Sequence, residues 1–173
     1  DPTWHVGLWS IFDFSFHLTA EEVQKVHRLS KRNSVSLDSI FLLAYIKTLA
    51  YFTNNEDIVI GLVVNNRLEK ESGDKILGLF LNTVPFRYKL NNKNDLLGIF
   101  NAKLELFKFK HLPYGYIKSL MKQDLYDFAF NFVHFHVLEN SNSNIKYIGG
   151  YERTSIPFTL NVAQENNKGF YVD

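Results

Sequence analysis

Apolar and polar positions in the first part of the chain alternate first with the period of a strand and then with that of a helix. Residues 12–18 alternate at every second position, which predicts a half-buried strand. Thr19 and Glu22 then have the spacing of a capping box, so we expect a helix to begin there. It should end near residues 31–33, where cations suit the negative end of the helix dipole. Three apolar residues would form its inner face: Val23, Val26 and Leu29.

A strongly apolar segment follows, from Ser36 to about Phe52. It has almost no polar face, and a helix that is apolar all round is either buried or in a membrane. Asp38, Lys47 and Thr48 interrupt it, and it falls short of the roughly 20 apolar residues that a membrane span needs. The pattern therefore favours a buried core helix.

The rest of the chain predicts more strands than helices. The β-branched run at residues 58–64 is typical of a central strand covered on both faces, and residues 65–75 are polar enough for a surface loop. A third helix is expected over residues 94–109. A fourth should span residues 113–121, because the proline that opens this segment fits the first turn of a helix. Further strands are predicted at residues 126–138, 145–151, 157–163 and 169–172.

This order of elements predicts an α/β fold, in which a mixed β-sheet and the helices packed on it form a two-layer sandwich. The length fits a single domain over residues 1–173. The first residue is Asp1 and not Met, and the sequence stops inside a predicted strand. We therefore expect the chain to be cut from a longer protein.

Composition narrows the classes of function. The chain has 19 basic and 18 acidic residues and a formal net charge of +1. This balance lacks the excess of basic residues that is typical of proteins that bind nucleic acid or an anionic membrane. It contains no Cys, so disulfides, thiolate metal sites and cysteine nucleophiles are excluded. Sixteen Phe, nine Tyr and two Trp supply enough bulk for a core, which excludes a disordered segment.

The histidines give one candidate metal site. His134 and His136 are two residues apart on one face of a predicted strand, a spacing that can hold a metal ion. The sequence names no convincing third ligand, with Glu139 merely nearby, so we favour histidines on a strand surface and expect no metal. No nucleophile elbow, phosphate loop, dinucleotide fingerprint or zinc helix motif occurs, so the chain offers no self-contained catalytic site.

The densest group of candidate functional residues lies at residues 76–87. Gly78 permits close approach of backbone or ligand, three large apolar residues follow it, and Asn82 and Thr83 then offer hydrogen-bonding side chains. Pro85 suits an edge or the start of a strand. On these residues alone, a turn that enters a strand is the favoured interpretation.

This segment resembles the motif Ile-Gly-x-Phe-Val-Asn-Thr-x-x-x-Arg of the condensation domains of nonribosomal peptide synthetases. Residues 34–37 with the helix after them, and residues 57–67, resemble the same family in the same order. Residues 111–114 resemble its next motif without the Gln and Glu of that motif. The resemblance spans roughly residues 12–173. The defining residues of the motif fall on Gly78, Phe80, Asn82, Thr83 and Arg87.

The family fold is a pseudo-dimer of two chloramphenicol-acetyltransferase-like lobes, and every match belongs to the second. The resemblance thus implies the C-terminal lobe of a condensation domain, without the catalytic His-His-x-x-x-Asp-Gly motif of the first lobe. Such domains form amide bonds between aminoacyl or peptidyl groups, which peptidyl carrier proteins hold as thioesters on phosphopantetheine. The resemblance implies three partners: the N-terminal lobe, carrier proteins and an adenylation domain. It also implies that the chain binds no cofactor itself, lies in the cytoplasm and has no activity alone.

By the same resemblance, Gly78, Phe80, Asn82 and Thr83 would line or shape the second lobe's wall of the substrate tunnel. Arg67 and Arg87 are associated with the tunnel or form structural ion pairs, and for an arginine near a strand end the ion pair is favoured. No residue of this chain is expected to be catalytic.

Three alternatives stay open on the sequence. The parent could be an epimerization or heterocyclization relative, since these share the lobe. It could be a coenzyme A-dependent acyltransferase of the same superfamily. It could also be a non-catalytic lobe that only docks carrier proteins, which the departures at residues 111–114 keep open.

Overall fold

The structure, a computed structural model, describes residues 12–67, 73, 76–91, 93–133, 154–165 and 169–173. Within these residues the chain forms six strands and four helices. In chain order they are β1 Phe16–His17, α1 Ala20–Asn33, α2 Leu37–Thr53, β2 Asp57–Asn65, β3 Leu81–Lys89, α3 Asp95–Phe107, α4 Tyr114–Met121, β4 Phe128–Val133, β5 Phe158–Glu165 and β6 Gly169–Val172.

The strands form one mixed sheet in the order β1-β6-β5-β4-β2-β3. The pairs β2–β4 and β4–β5 are parallel, whereas β2–β3, β5–β6 and β1–β6 are antiparallel. In the register of the sheet, Gly61 of β2 lies opposite Pro85 of β3 on one side and Ala129 of β4 on the other. The predicted α/β class, with a mixed sheet and packed helices, is confirmed.

Helix α2 lies at the centre of the core. Leu42 and Ile46 are completely buried and pack with Ile60 of β2 and Phe130 of β4 in one cluster. Burial of each such side chain stabilises the fold by about 1.5–3 kcal/mol. The prediction of a helix buried all round is wrong along one face. Residues 44, 47, 48, 51 and 52 are exposed, because positions three or four apart share a face of the helix and this face is turned away from the core.

A buried ion pair joins α2 to α3. The ammonium group of Lys103 donates to the hydroxyl oxygens of Ser36 (2.8 Å) and Ser39 (2.9 Å) and to the carboxylate of Asp38. Burial lowers the pKa of Lys103, and the charge of Asp38 opposes that shift. Asp38, which interrupts the apolar pattern of α2 in the sequence, thus neutralises a buried cation.

Helix α1 begins as predicted. The Thr19 nitrogen donates to Glu22 Oε2 at 2.8 Å, and the Glu22 nitrogen donates to Thr19 Oγ1 at 3.3 Å, which completes the capping box. Val23 and Val26 pack against the core. Leu29 is 43% exposed, so its assignment to the inner face is wrong: α1 lies near the β6 side of the sheet and only part of its apolar face is covered.

The predicted first strand is only two residues long. Phe16 pairs with Val172 and His17 with Tyr171. In this register Ser15 lies opposite Asp173, and Phe12 and Phe14 pair with no strand among the described residues. Phe12 and Phe14 are therefore 92% and 78% exposed, and the half-buried strand predicted for them is wrong.

Most other predicted elements are confirmed. Pro113 caps α4, and β2, β5 and β6 lie within one or two residues of their predicted bounds. Helix α3 ends at Phe107, earlier than predicted. His134, His136, Glu139 and residues 145–151 lie outside the described residues, as does most of the predicted loop at 65–75.

Candidate functional site

Four pieces of chain meet at one corner of the sheet: the end of β2, the segment 76–80, the start of β3 and the connection between α3 and α4. Strand β3 is an edge strand of the described sheet, with β2 as its neighbour. Proline lacks a backbone N–H and is tolerated on such an edge, so the predicted placement of Pro85 is confirmed. Most of the residues singled out in the sequence lie at this corner.

Gly78, Phe80 and Arg67 form the outer part of the corner. Gly78 has φ of 149°, a conformation that favours glycine, and an added Cβ would lie 3.3 Å from the Phe80 ring. The Arg67 guanidinium lies 4.4 Å from the centroid of that ring, a cation–π contact. Its Nη1 also donates to the carbonyl oxygens of Gly73 (3.1 Å) and Ile76 (2.7 Å). Arg67 thus links the carbonyl groups of Gly73 and Ile76 to the Phe80 ring.

Three leucines alternate in the sequence with Gly78 and Phe80, and their side chains face solvent. Leu77 is 97% exposed, Leu79 is 86% exposed and Leu81 is 50% exposed. Consecutive side chains of an extended segment point to opposite sides. Because Phe80 packs against Arg67, its neighbours Leu79 and Leu81 point the other way, toward solvent. We call these three residues the leucine ridge.

Asn82 lies on the face of the sheet that the helices cover. Its Nδ2 donates to the carbonyl oxygens of Lys110 and Leu112, each at 2.8 Å. The Lys110 ammonium in turn donates to the carbonyl oxygen of Asn65 at 3.1 Å. These bonds tie the α3–α4 connection to the ends of β2 and β3.

Thr83 lies on the opposite face of the sheet from Asn82, because neighbouring strand residues alternate. It packs beside Gly61 and Tyr126: an added Cβ on Gly61 would lie 2.8 Å from the Thr83 methyl and 2.5 Å from Tyr126 Cε2. The structure therefore brings Gly78, Phe80, Asn82 and Arg67 together at the corner and separates Thr83 from them.

Arg87 is four residues further along β3, about 13 Å from Thr83 at strand spacing. It forms a two-point ion pair with Asp57, with Nε–Oδ1 at 2.8 Å and Nη2–Oδ2 at 2.6 Å. The hydrogen bond from Arg87 lowers the pKa of Asp57. The ion pair joins β3 to β2 at this edge of the sheet.

Tyr126 is a member of this region that the sequence did not single out. Burial, with smaller contributions from Tyr114 and Asp124, raises its pKa to about 12. The Tyr114 ring lies 4.8 Å from that of Tyr126, and the Tyr114 hydroxyl donates to Asp124. The sequence signal that could have located Tyr126 is Gly61, because a glycine inside a strand often marks a place where another group packs closely against the backbone.

The described histidines do not form a metal site. Within the described ranges, no three His, Asp or Glu side chains come together as metal ligands. His111 lies on the α3–α4 connection and is exposed. No single helix in the described part of the chain is long and apolar enough to cross a membrane; α1 and α2 meet that standard only as a pair, bent by 107°.

The comparisons with known proteins agree on one family. The family model described as Condensation domain matches residues 9–173. The AMB antimetabolite synthetase AmbE of Pseudomonas aeruginosa is 29% identical over 134 residues, which are 75% of this chain and 6% of that protein. Bacitracin synthase 3 of Bacillus licheniformis is 27% identical over 160 residues, which are 84% of this chain and 2% of that protein. The chain thus spans a small fraction of these relatives.

Solved structures share the fold. The condensation domain of the Monacolin K polyketide synthase MokA superposes with a TM-score of 0.79 at 19% identity, over 92% of this chain and 40% of that one. VibH, a condensation enzyme of nonribosomal peptide synthesis, superposes with a TM-score of 0.71 at 14% identity, over 92% of this chain and 39% of that one.

Proposed function

Because the chain belongs to the condensation domain family, we propose that it is the C-terminal lobe of a domain that forms amide bonds in nonribosomal peptide synthesis. In this proposal the amine of one carrier-bound amino acid attacks the thioester of another. The nitrogen–carbon bond forms as the carbon–sulfur bond breaks, and the thiol of the donor's phosphopantetheine arm leaves with a proton. The chain contributes one wall of the tunnel in which the two arms meet.

The size of the chain supports the single-lobe assignment, since it covers about two fifths of each solved condensation domain described above. Carrier proteins would bring the phosphopantetheine arms, and an adenylation domain would load them. The remainder of the domain would supply the catalytic histidine.

The observation that carries the proposal is the leucine ridge beside Asn82. Leu77, Leu79 and Leu81 are exposed although Arg67, Gly78 and Phe80 hold the backbone of this segment in a defined conformation. Large apolar side chains that are exposed together on one segment are what an interaction site requires. Under the proposal it meets the first lobe or the acyl chains in the tunnel, with Gly78, Phe80 and Asn82 shaping that wall. Thr83 and Tyr126 would contribute from the other face.

The test compares this chain with the complete condensation domain that contains it. Each is mixed with an amino acid and an acyl group loaded on separate carrier proteins, and amide product is measured by mass spectrometry. We expect product from the complete domain and none from the 173-residue chain. Product from the chain alone would contradict the single-lobe assignment.

The ridge itself is tested in the complete domain. Leu79→Ser should lower the rate of amide formation, because it places a polar group in an apolar contact. The matched control is Tyr51→Ser, which changes an equally exposed side chain on α2 and should leave the rate unchanged. An unchanged rate in Leu79→Ser would remove the ridge from the proposed tunnel.

A further inference from the structure

The two hydrogen bonds of Asn82 enclose a single residue. The carbonyl groups that accept them belong to Lys110 and Leu112, so the side-chain amide holds the chain on both sides of His111. Each bond is 2.8 Å long, a favourable distance for an N–H donor to a carbonyl oxygen. An amide nitrogen carries two hydrogens, and this arrangement uses both.

Further hydrogen bonds hold the backbone on both sides of His111. The Leu112 nitrogen donates to the Phe109 oxygen at 3.0 Å, and the Lys110 ammonium donates to the Asn65 oxygen at 3.1 Å. The imidazole of His111 is exposed, and among the described residues no hydrogen bond reaches it. The hydrogen-bonded backbone thus holds an exposed imidazole in a defined place, and such preorganisation lowers the cost of binding a ligand.

We propose that Asn82 is a positioning residue, which acts in the site by fixing His111, and that the His111 imidazole contacts the ligand. This inference rests on the proposed function for the identity of the ligand, an acyl thioester whose arm carries amide groups. A neutral imidazole offers one donor and one acceptor, which suits the carbonyl oxygen or N–H of an amide. The exposed apolar side chains of Phe109 and Leu112 flank the ring in sequence and suit the hydrocarbon parts of such an arm.

The arrangement limits what Asn82 itself can do. Because both hydrogens of its Nδ2 are already donated to the backbone, a direct contact with ligand is restricted to its Oδ1 as an acceptor. Loss of Asn82 therefore acts on the ligand through the displaced His111. Of the two roles that the family resemblance allows for Asn82, lining the wall or shaping it, this arrangement favours shaping.

The first test measures the position of His111 without any assay of activity. Asn82→Asp keeps the shape of the side chain but replaces the two donated hydrogens by an oxygen that faces two carbonyl oxygens. In this variant of the full chain, amide hydrogen exchange at Leu112 should accelerate about tenfold. The nuclear magnetic resonance signals of the His111 ring should shift, while those of His17 and His27 stay in place.

Asn33→Asp is the matched control, since Asn33 also donates its Nδ2 to a carbonyl oxygen, that of Leu29 at 2.9 Å, but at the end of α1. It should leave exchange at Leu112 and the His111 ring unchanged. If Asn82→Asp does not fold, Asn82→Ser, which retains one donor, should give a smaller change in the same direction. Unchanged exchange and unchanged ring signals in a folded Asn82 variant would overturn the proposal.

The second test is a double-mutant cycle in the complete condensation domain. We expect His111→Ala to lower kcat/KM about three- to tenfold, the effect of one lost hydrogen bond, and Asn82→Asp to lower it by no more. In the double variant the losses should not multiply, because Asn82 acts through His111. Losses that multiply would mean that Asn82 contacts the ligand independently, and would overturn the proposal. If the complete domain makes no amide product, the proposed function fails, and the exchange and ring measurements still decide whether Asn82 positions His111.

Discussion

The core beneath α2 and the corner that holds the leucine ridge are ordered by different kinds of interaction. Around α2, large apolar side chains such as Leu42 and Ile46 are removed from water, and the buried cation of Lys103 is neutralised by Asp38. At the corner, side chains hydrogen-bond to backbone carbonyl groups and leave leucines in solvent. Burial of apolar side chains stabilises the core, whereas hydrogen bonds hold the corner in shape and leave its apolar side chains exposed. A binding surface requires this combination of a defined shape and exposed apolar groups.

The largest effect on stability is expected at the buried ion pair between Lys103 and Asp38. Lys103→Met retains much of the side-chain volume but leaves the carboxylate of Asp38 without its partner, and breaking a buried pair in this way costs about 3–5 kcal/mol. The free energy of unfolding, measured by urea denaturation, should fall by that amount. The double variant with Asp38→Asn should recover most of the loss. A loss below about 1 kcal/mol from Lys103→Met would mean that the pair is not part of what stabilises the core.

A second variant tests the sheet face that carries Thr83. Gly61→Ala places a methyl group 2.5 Å from Tyr126 Cε2, in a ring that also packs against Tyr114. Overpacking of this kind should lower the free energy of unfolding by about 1–3 kcal/mol. With Tyr126→Ala the added methyl gains space, so the penalty for Gly61→Ala should shrink in that background. An equal penalty in both backgrounds would assign the cost to contacts other than Tyr126.

The ion pair on the exposed edge should contribute less, and its contribution should depend on pH. Because Arg87 lowers the pKa of Asp57 in the folded state, the unfolded chain binds the proton more readily. The stabilisation is therefore present above the pKa of the unfolded carboxyl group, about 4, and is lost as pH falls through the lower folded value. Wild type and Asp57→Asn should differ in urea midpoint at pH 7 and converge near pH 2. A difference that stays constant over this range would contradict the assignment.

The sequence predicts the core region far better than the corner, for a physical reason. Hydrophobic periodicity reports burial, so α2, β2 and the β4 segment were identified, and the capping box located the start of α1. The bonds that shape the corner join residues distant in the chain, such as Asn82 with Lys110 and Leu112. No local pattern encodes them, and the family motif pointed to Asn82 without giving its partners. The failure at Phe12 and Phe14 has a related cause, since alternation does not show whether a neighbouring strand is present.

The smallest change in stability is expected at the leucine ridge, where the contrast between the two regions is sharpest. Leu79→Ser removes an apolar side chain that already faces water, so the free energy of unfolding of this chain should change by no more than about 0.5 kcal/mol. Leu42→Ala, a truncation in the core, should cost about 2–5 kcal/mol in the same urea titration. Equal losses in the two variants would mean that Leu79 is packed in solution and that the ridge belongs to the core. A negligible loss from Leu79→Ser means that folding of this chain does not require the ridge to be apolar. Any fall in amide formation by the same variant in the complete domain would then arise from a contact made outside this chain, which separates a binding role of the ridge from a structural one.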